Sequence, residues 1–331
     1  MQFKAIYEQY LNYCLKRLKA GSYLDRQTIF KQFILPYFEH FEIENITRQQ
    51  LKDWQECLEK YSYKYKSKIR GFLYNFLKFA ESEYGIPNGL KNVQPFVKDK
   101  YKLKRKANVY SDKEFLRLMT KIEDLEDRTI FNMLYLCQLR KGELCGLTWN
   151  DWLLDKKCVD INKTFSRINN YGDLENLEKL KGKVINFYVT GKVVYILNLP
   201  KSPNSIRQVV LPTSTYKLLS ELYNVKSKAK GFAPTDFIFG KHKTFLKYTT
   251  LANRFEKYRK SARLKKIRIH DLRHSGVSYL INTYNNEQAK NSLHLAYIIA
   301  ERIGDNVEQV LNTYGHLLNN EQQTLIDKIN I

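Results

Sequence analysis

Residues 268–281 read RIHDLRHSGVSYLI. Imidazole, guanidinium and imidazole arrive within five residues, as His270, Arg273 and His274, at the expected start of a helix. A helix N-terminus already attracts anions through its free N–H groups and its dipole. His270 and Arg273 placed there make a phosphate cradle. The i, i+4 histidine pair has the spacing of a zinc site. However, no Glu accompanies it as in H-E-x-x-H, and Arg273 would set a cation beside the metal, so the anion reading is preferred. His274 is expected to fix the helix by a buried hydrogen bond.

The whole chain carries the charge such a cradle needs. Among 331 residues, Lys and Arg number 56 and Asp and Glu 34, a formal charge of +22. Solubility needs far less, so an anionic partner is expected, a polyanion first. Hydrophobic residues make up 43%, which is enough for two cores and excludes wholesale disorder. With 14 Gly and 7 Pro, low-complexity and collagen-like classes fail and a helix-rich chain is expected. The five cysteines (Cys14, Cys57, Cys137, Cys145, Cys158) form no C-x-x-C pair and read as thiols of a reducing cytosol. No apolar run approaches a membrane span, and MQFKAIYEQY lacks the apolar core of a signal peptide, so a cytoplasmic protein without a membrane partner is expected. Neither G-x-G-x-x-G nor G-x-x-x-x-G-K-[ST] occurs; no cofactor, nucleotide or metal is expected.

Two units follow from the periodicity. Phe3, Ile6, Tyr7, Tyr10, Leu11, Cys14 and Leu18 recur at helical spacing, as do Ile29 to Phe38 and Ile69 to Ala80. Thr47 with Gln50 spells a capping box, and Gly85 with Pro87 ends the last of four helices. Residues 1–97 are thus a helical bundle. KDKYKLKRK, residues 98–106, holds six basic residues and one acid; residues 98–107 read as a linker, either a solvated tether or a strap along a phosphate backbone. The second unit, 108–331, opens with a capping box at Ser111 and Glu114. It is expected to be mainly helical with a small antiparallel sheet, drawn from Val159 and Ile161, Val184–Val189, Val193–Leu199 and Ile206–Leu211. Residues 166–192 read as an insertion, its first part a polar surface stretch.

Three further segments bear on chemistry: CQLRKGELCGLTW with Arg140 and Glu143, LPKSPNSIRQVVLP with Lys201 at a hairpin tip, and VLNTYGHLL with Tyr314. Arg, Lys, His-x-x-Arg, Tyr in that order, in LRKGEL, HDLRHS and LNTYGHL, resembles the tyrosine recombinases, the phage integrase family. The resemblance spans essentially the whole chain. It implies that residues 1–97 are a core-DNA-binding domain and that residues 108–331 are a catalytic domain. It also implies a mobile-element integrase that cleaves and rejoins double-stranded DNA through a 3′-phosphotyrosyl intermediate, without metal or ATP.

The chemistry of the residues agrees. Tyr314 supplies a phenol nucleophile, while Arg140 and Arg273 offer planar donor forks to phosphate oxygens. Lys201, like its equivalent in the family, would protonate the departing 5′-oxygen. His270 would orient the tyrosine or accept its proton. Glu143 reads either as a residue that orients the basic site or as an exposed helix-end carboxylate. One departure concerns the position after Gly304. The family usually has His or Trp there, and this chain has Asp305. A carboxylate about 4 Å from a phosphate is opposed by about 4 kcal/mol at an effective dielectric of about 20. Asp305 is counted as a site residue, expected to turn away, to be protonated, or to orient a neighbouring cation or backbone N–H. TYNNEQAKNS, residues 283–292, reads as an extra loop, and Lys183 and Lys192 flank turns as rivals to Lys201.

The resemblance further implies a homotetramer in synapsis built from a protein that is monomeric alone, and leaves room for an accessory DNA-bending or directionality factor at a prokaryotic nucleoid. The apolar face Leu325, Ile326, Ile329 reads either as packing on its own domain or as a helix donated to a neighbouring protomer. Arg254–Arg268, with eight cations and one acid, suits a helix packed on one face and meeting DNA phosphates with the other. Two rival functions share these residues: a type IB topoisomerase-like relaxase, and a DNA-binding protein that has lost catalysis.

Overall fold

A computed structural model describes residues 1–98, 108–169, 179–180, 182–191, 193–200, 202–241, 243–287 and 292–318. The basic linker from Asp99, the tail beyond Leu318, and Lys192 and Lys201 therefore lie outside the described residues. The chain divides into two units, Met1–Lys104 with Arg167–Ile196, and Arg105–Ser166 with Leu197–Ile331.

In the first unit the apolar faces read from the sequence become helices α1 (Phe3–Arg17), α2 (Ala20–Ile29), α3 (Leu35–Phe38), α4 (Arg48–Glu56) and α5 (Tyr63–Tyr84). Helices α2 and α3 are joined by a π-helical segment, Phe30–Ile34, with Pro36 just beyond it. What reads as one amphipathic run is thus a continuous helical path with a widened turn. The capping box at Thr47 and Gln50 forms as read, and Gly85 closes α5 in the left-handed conformation, φ 68°. Phe3, Phe30, Phe38 and Phe76 are wholly buried; Phe3 and Phe76 lie with ring centroids 4.6 Å apart.

This division differs from the one read in the sequence at one place. Residues 166–192 are expected as an insertion of the second unit, whereas Arg167–Ile196 group with the first. The physical reason is apolar burial: Leu180, Val194 and Ile196 belong to the core of the helical unit, and Lys183 donates to the Leu15 carbonyl of α1.

The second unit begins with α6 (Asp112–Met119), whose Ser111–Glu114 capping box forms, and continues with α7 (Leu125–Leu136) and the short α8 (Lys141–Gly146). Among the described residues two three-stranded sheets appear where one was expected. Strands β1 (Trp152–Leu153), β2 (Cys158–Ile161) and β6 (Arg207–Val210) form an antiparallel sheet ordered β1-β2-β6, with Val159 opposite Val209 and Ile161 opposite Arg207. The other sheet, most of whose residues fall in the Arg167–Ile196 stretch of the first unit, is ordered β3-β5-β4, from Thr164–Asn169, Val193–Asn198 and Asn186–Thr190. Its first strand runs into the stretch read as polar surface.

Helices α9 (Thr213–Lys226), α10 (Tyr248–Ser261), α11 (Ile269–Glu287), α12 (Ser292–Ile303) and α13 (Val307–Tyr314) complete the described part. Residues 283–287, read as the start of a loop, instead extend α11. The Arg254–Arg268 run packs through Phe255, Tyr258, Leu264 and Ile267 as expected. Several of its cations are engaged internally: Arg254 with Glu126 and Asp127, Arg259 with Glu256, Arg268 with Asp271.

Helices α7 and α11 approach closely at Gly276. A Cβ there would lie 1.8 Å from the Tyr135 carbonyl oxygen, a backbone atom that no rotamer change can move. Gly276→Ala is therefore expected to destabilise the protein by about 3 kcal/mol, the upper end of overpacking, read as a lower midpoint in urea unfolding followed by circular dichroism.

Candidate active site

The site is assembled where helices of the second unit begin and end. Arg140 precedes α8. The Glu143 carboxylate, one turn into that helix, turns back to accept the Arg140 backbone N–H (Oε2, 2.9 Å) and the Arg140 side chain (Nη1 to Oε1, 2.8 Å). The same carboxylate takes a bidentate grip from Arg207: Nη1 to Oε1 at 3.1 Å and Nη2 to Oε2 at 3.0 Å. Glu143 and Arg207 side chains are 2% and 5% exposed. Burial alone would raise the Glu143 pKa, but the hydrogen bonds and charge of Arg207, with Arg273 and Arg140 behind them, hold it below the usual carboxylate value. Of the two readings of Glu143, the structure places it inside, as an orienting group.

Arg273 sits on the first turns of α11, with Asp271 accepting the Arg268 N–H at the helix start (2.8 Å). The Arg273 guanidinium, 3% exposed, donates through Nη1 to Gln138 O (2.5 Å) and through Nη2 to Ile303 O (2.7 Å) and Asp305 Oδ2 (2.9 Å). Its burial, then the nearby Arg140, lower its pKa to about 10. Arg140 Nη2 donates to Gly304 O (3.0 Å) and to Asp305 Oδ1 (2.6 Å). Asp305 thus neither turns away nor stands alone; it bridges the two cations. The Gly304 backbone is left-handed, φ 65°, and a Cβ would come within 2.9 Å of Arg207 Nη1, so the turn carrying Asp305 requires glycine.

Tyr314 ends α13. Its ring is buried with Val277, Ile281, Leu295, Ile299, Ile303 and Val310, and its hydroxyl lies 2.6 Å from His274 Nδ1. Burial raises the phenol pKa to about 12, with Arg273 pulling it down and Asp305 pushing it up. The hydroxyl contact falls to His274 and not to His270, the histidine expected to meet the tyrosine. His274, expected to serve only structure, is the ring at the hydroxyl. His270 stands beyond it, edge-on to His274 with ring centroids 4.8 Å apart. Although His270 reaches solvent, desolvation by the surrounding chain, then His274 and Arg273, lower its pKa to about 4. Burial also lowers the His274 pKa below 6.5.

Lys201 falls outside the described residues. Its rival Lys183 is engaged with α1 of the first unit. Two residues of the site were missed in the sequence. One is His274 in its contact with Tyr314; the i, i+4 spacing to His270 was the signal. The other is Arg207, which falls on the inward phase of β6 with Val209, a position where a cation requires a buried carboxylate. Among the described residues, no group of three or more His, Cys, Asp or Glu is placed to hold a metal ion, and no helix is long and apolar enough to cross a membrane.

Two guanidinium forks meet on one carboxylate, and in the same unit a buried tyrosine hydroxyl rests on a histidine. The family model described as the phage integrase family matches residues 108–289, and that of the phage integrase N-terminal SAM-like domain matches residues 2–59. The chain therefore belongs to the phage integrase family, the tyrosine recombinases. It is 24% identical over 341 residues to the ICEBs1 integrase of Bacillus subtilis (strain 168), covering 99% of this chain and 83% of that one. To a XerC-like tyrosine recombinase of Caldanaerobacter subterraneus subsp. tengcongensis it is also 24% identical, over 79% of this chain and 64% of that protein. The fold is shared with the Tn1549 transposon integrase in complex with transposon right end DNA (TM-score 0.70, 17% identity, 99% of each chain). It is shared too with a lambda integrase tetramer bound to a Holliday junction (TM-score 0.62, 13% identity, 93% of this chain and 77% of that one).

Removing the charge of Glu143 would leave the buried Arg207 against a weaker partner. Glu143→Gln is expected to cost about 3–5 kcal/mol, the range for breaking a buried ion pair from one side, measured as a loss of unfolding free energy in urea.

Proposed function

We propose that this protein is the integrase of a mobile element, a site-specific recombinase that cuts and rejoins double-stranded DNA through Tyr314. The observation that carries the reading is the Asp305 bridge. It brings the guanidiniums of Arg140 and Arg273 within hydrogen-bond reach of one small anion, in the unit that also buries the Tyr314 hydroxyl on His274.

In the proposed reaction the Tyr314 phenol oxygen attacks the scissile phosphorus. The P–O5′ bond breaks, and the protein is left joined to the 3′-phosphate. The phenol proton passes to His274, whose lowered pKa keeps it neutral and able to accept at pH 7. Arg140 and Arg273 meet the charge that develops on the non-bridging oxygens; losing either should slow cleavage about 10²–10³-fold. Lys201 is assigned the proton for the departing 5′-oxygen, and His270 supports His274 from behind. Rejoining runs the same steps backward onto a new 5′-hydroxyl, so neither metal nor ATP is assigned a step.

The surplus of cations supports duplex DNA as the partner. The first unit, residues 1–97, is assigned to the core site and residues 108–331 to catalysis. Assembly as a tetramer on two DNA sites from monomers in solution, and action at a prokaryotic nucleoid in the cytoplasm, complete the proposal.

The test is adduct formation on nicked suicide duplexes tiled across the DNA that flanks the gene. Wild type should run as a covalent protein–DNA species on a denaturing gel, while Tyr314→Phe should shift the same duplex on a native gel and form no adduct. An adduct in that variant would place the nucleophile elsewhere. The initial rate should stay level through neutral pH and decline only on acidification past the ordinary histidine range, because burial lowers the pH at which His274 gains its proton. A rate that rises on acidification would exclude neutral His274 as the acceptor.

A further inference from the structure

The two arginines assigned to the scissile phosphate already hold an anion of the protein's own. Asp305 Oδ1 lies 2.6 Å from Arg140 Nη2 and Oδ2 lies 2.9 Å from Arg273 Nη2. One carboxylate therefore presents two oxygens to two forks, as the non-bridging oxygens of a phosphodiester would. Each of those Nη2 atoms carries two N–H bonds. Arg140 spends them on Gly304 O and Asp305, and Arg273 on Ile303 O and Asp305. An incoming phosphate reaches both Nη2 ends only if Asp305 lets go.

Orientation of the forks does not depend on Asp305. Arg140 is held by the Glu143 carboxylate and by Gly304 O, Arg273 by Gln138 O and Ile303 O. What Asp305 contributes is charge. The ion pairs of the site set Arg140, Arg207 and Arg273 against Glu143 and Asp305, three positive against two negative. Without Asp305 the count becomes three against one, around an Arg273 that is almost fully enclosed. The carboxylate also has a way out: Asp305 and Arg140 side chains are 27% and 29% exposed, whereas Glu143 and Arg207 are shut in.

We infer that Asp305 is an internal stand-in for the scissile phosphate, closing the anion seat of the free protein and leaving it when a phosphodiester enters. This rests on the reading of Arg140 and Arg273 as the phosphate-holding pair. The location gives the exchange a consequence. Asp305 lies between Gly304, with its left-handed backbone, and Asn306, whose side chain accepts the Gln309 N–H (2.8 Å) at the start of α13. Tyr314 is the last residue of that helix. Release of the carboxylate therefore acts at the root of the segment that bears the nucleophile.

Inorganic phosphate tests the seat without any DNA sequence. A site open for only a fraction of the time binds an outside anion with its affinity reduced by that fraction. Asp305→Asn keeps the shape and removes the competing charge. Its thermal midpoint should rise with phosphate at a half-maximal concentration about ten-fold lower than wild type, the factor for a seat open about a tenth of the time. Adding Arg140→Gln should abolish that gain and so locate it. Equal half-maximal concentrations for wild type and Asp305→Asn would overturn the inference. So would loss of a cooperative transition in both Asp305→Asn and Asp305→Ser, because the forks would then need the carboxylate for their placement. A parallel suicide-duplex assay on wild type separates the two readings. Adduct with coincident phosphate curves removes the stand-in and keeps the recombinase. No adduct with displaced curves removes the recombinase and keeps the anion seat.

Discussion

The second unit is organised around one buried carboxylate. Glu143 accepts from Arg207 with both oxygens, from the Arg140 side chain, and from the Arg140 backbone N–H. A charge withdrawn from water this far is tolerated only with good geometry and full hydrogen bonding, and both are present. Through Arg207 the interaction reaches β6 and, by a bond from Nε to Arg302 O (2.7 Å), the last turn of α12. The strand that follows the expected lysine turn, the helix that begins with an arginine, and the turn that presents Asp305 are thereby fastened to a single point.

Four residues of the site stand at or near the ends of regular elements. Arg140 precedes α8, Arg273 lies near the start of α11, Asp305 joins α12 to α13, and Tyr314 closes α13. Such places combine a rigid support with backbone groups that still lack partners. Here the carbonyls of Gln138, Ile303 and Gly304 take up the arginine N–H bonds. Gln138 does so from a left-handed backbone, φ 52°, while its side chain donates to the Tyr135 and Leu136 carbonyls and accepts from Arg302. The terminal carbonyls of α7 are thus capped by the same residue that aims Arg273.

Much of this was legible in the sequence because it is local. Capping boxes at Thr47 and Ser111 and the glycine stop at residue 85 are rules written over a few adjacent residues, and all three form. The arginines, histidines and tyrosine could be picked out by their order along the chain. Their partners could not. Arg207 pairs with a residue 64 positions away, and Asp305 with residues 165 and 32 positions away. Alternation in a strand shows that a side chain faces inward but not what it meets there. The choice between His270 and His274 turned on which ring the end of α13 meets. Affiliation of residues 167–196 with the first unit escaped for a similar reason: Leu180, Val194 and Ile196 are apolar positions whose neighbours lie far off in the chain.

The contact at Gly276 has a bearing on how such a site can diverge. There the backbones of α7 and α11 meet across a residue without a side chain, so the spacing between them is set by main chain and by the glycine at 276. Replacement of solvent-facing side chains elsewhere on either helix leaves that spacing alone. The helix that leads into Arg140 and the helix that carries Arg273 can therefore change their outer surfaces over generations while the separation of their backbones stays constant.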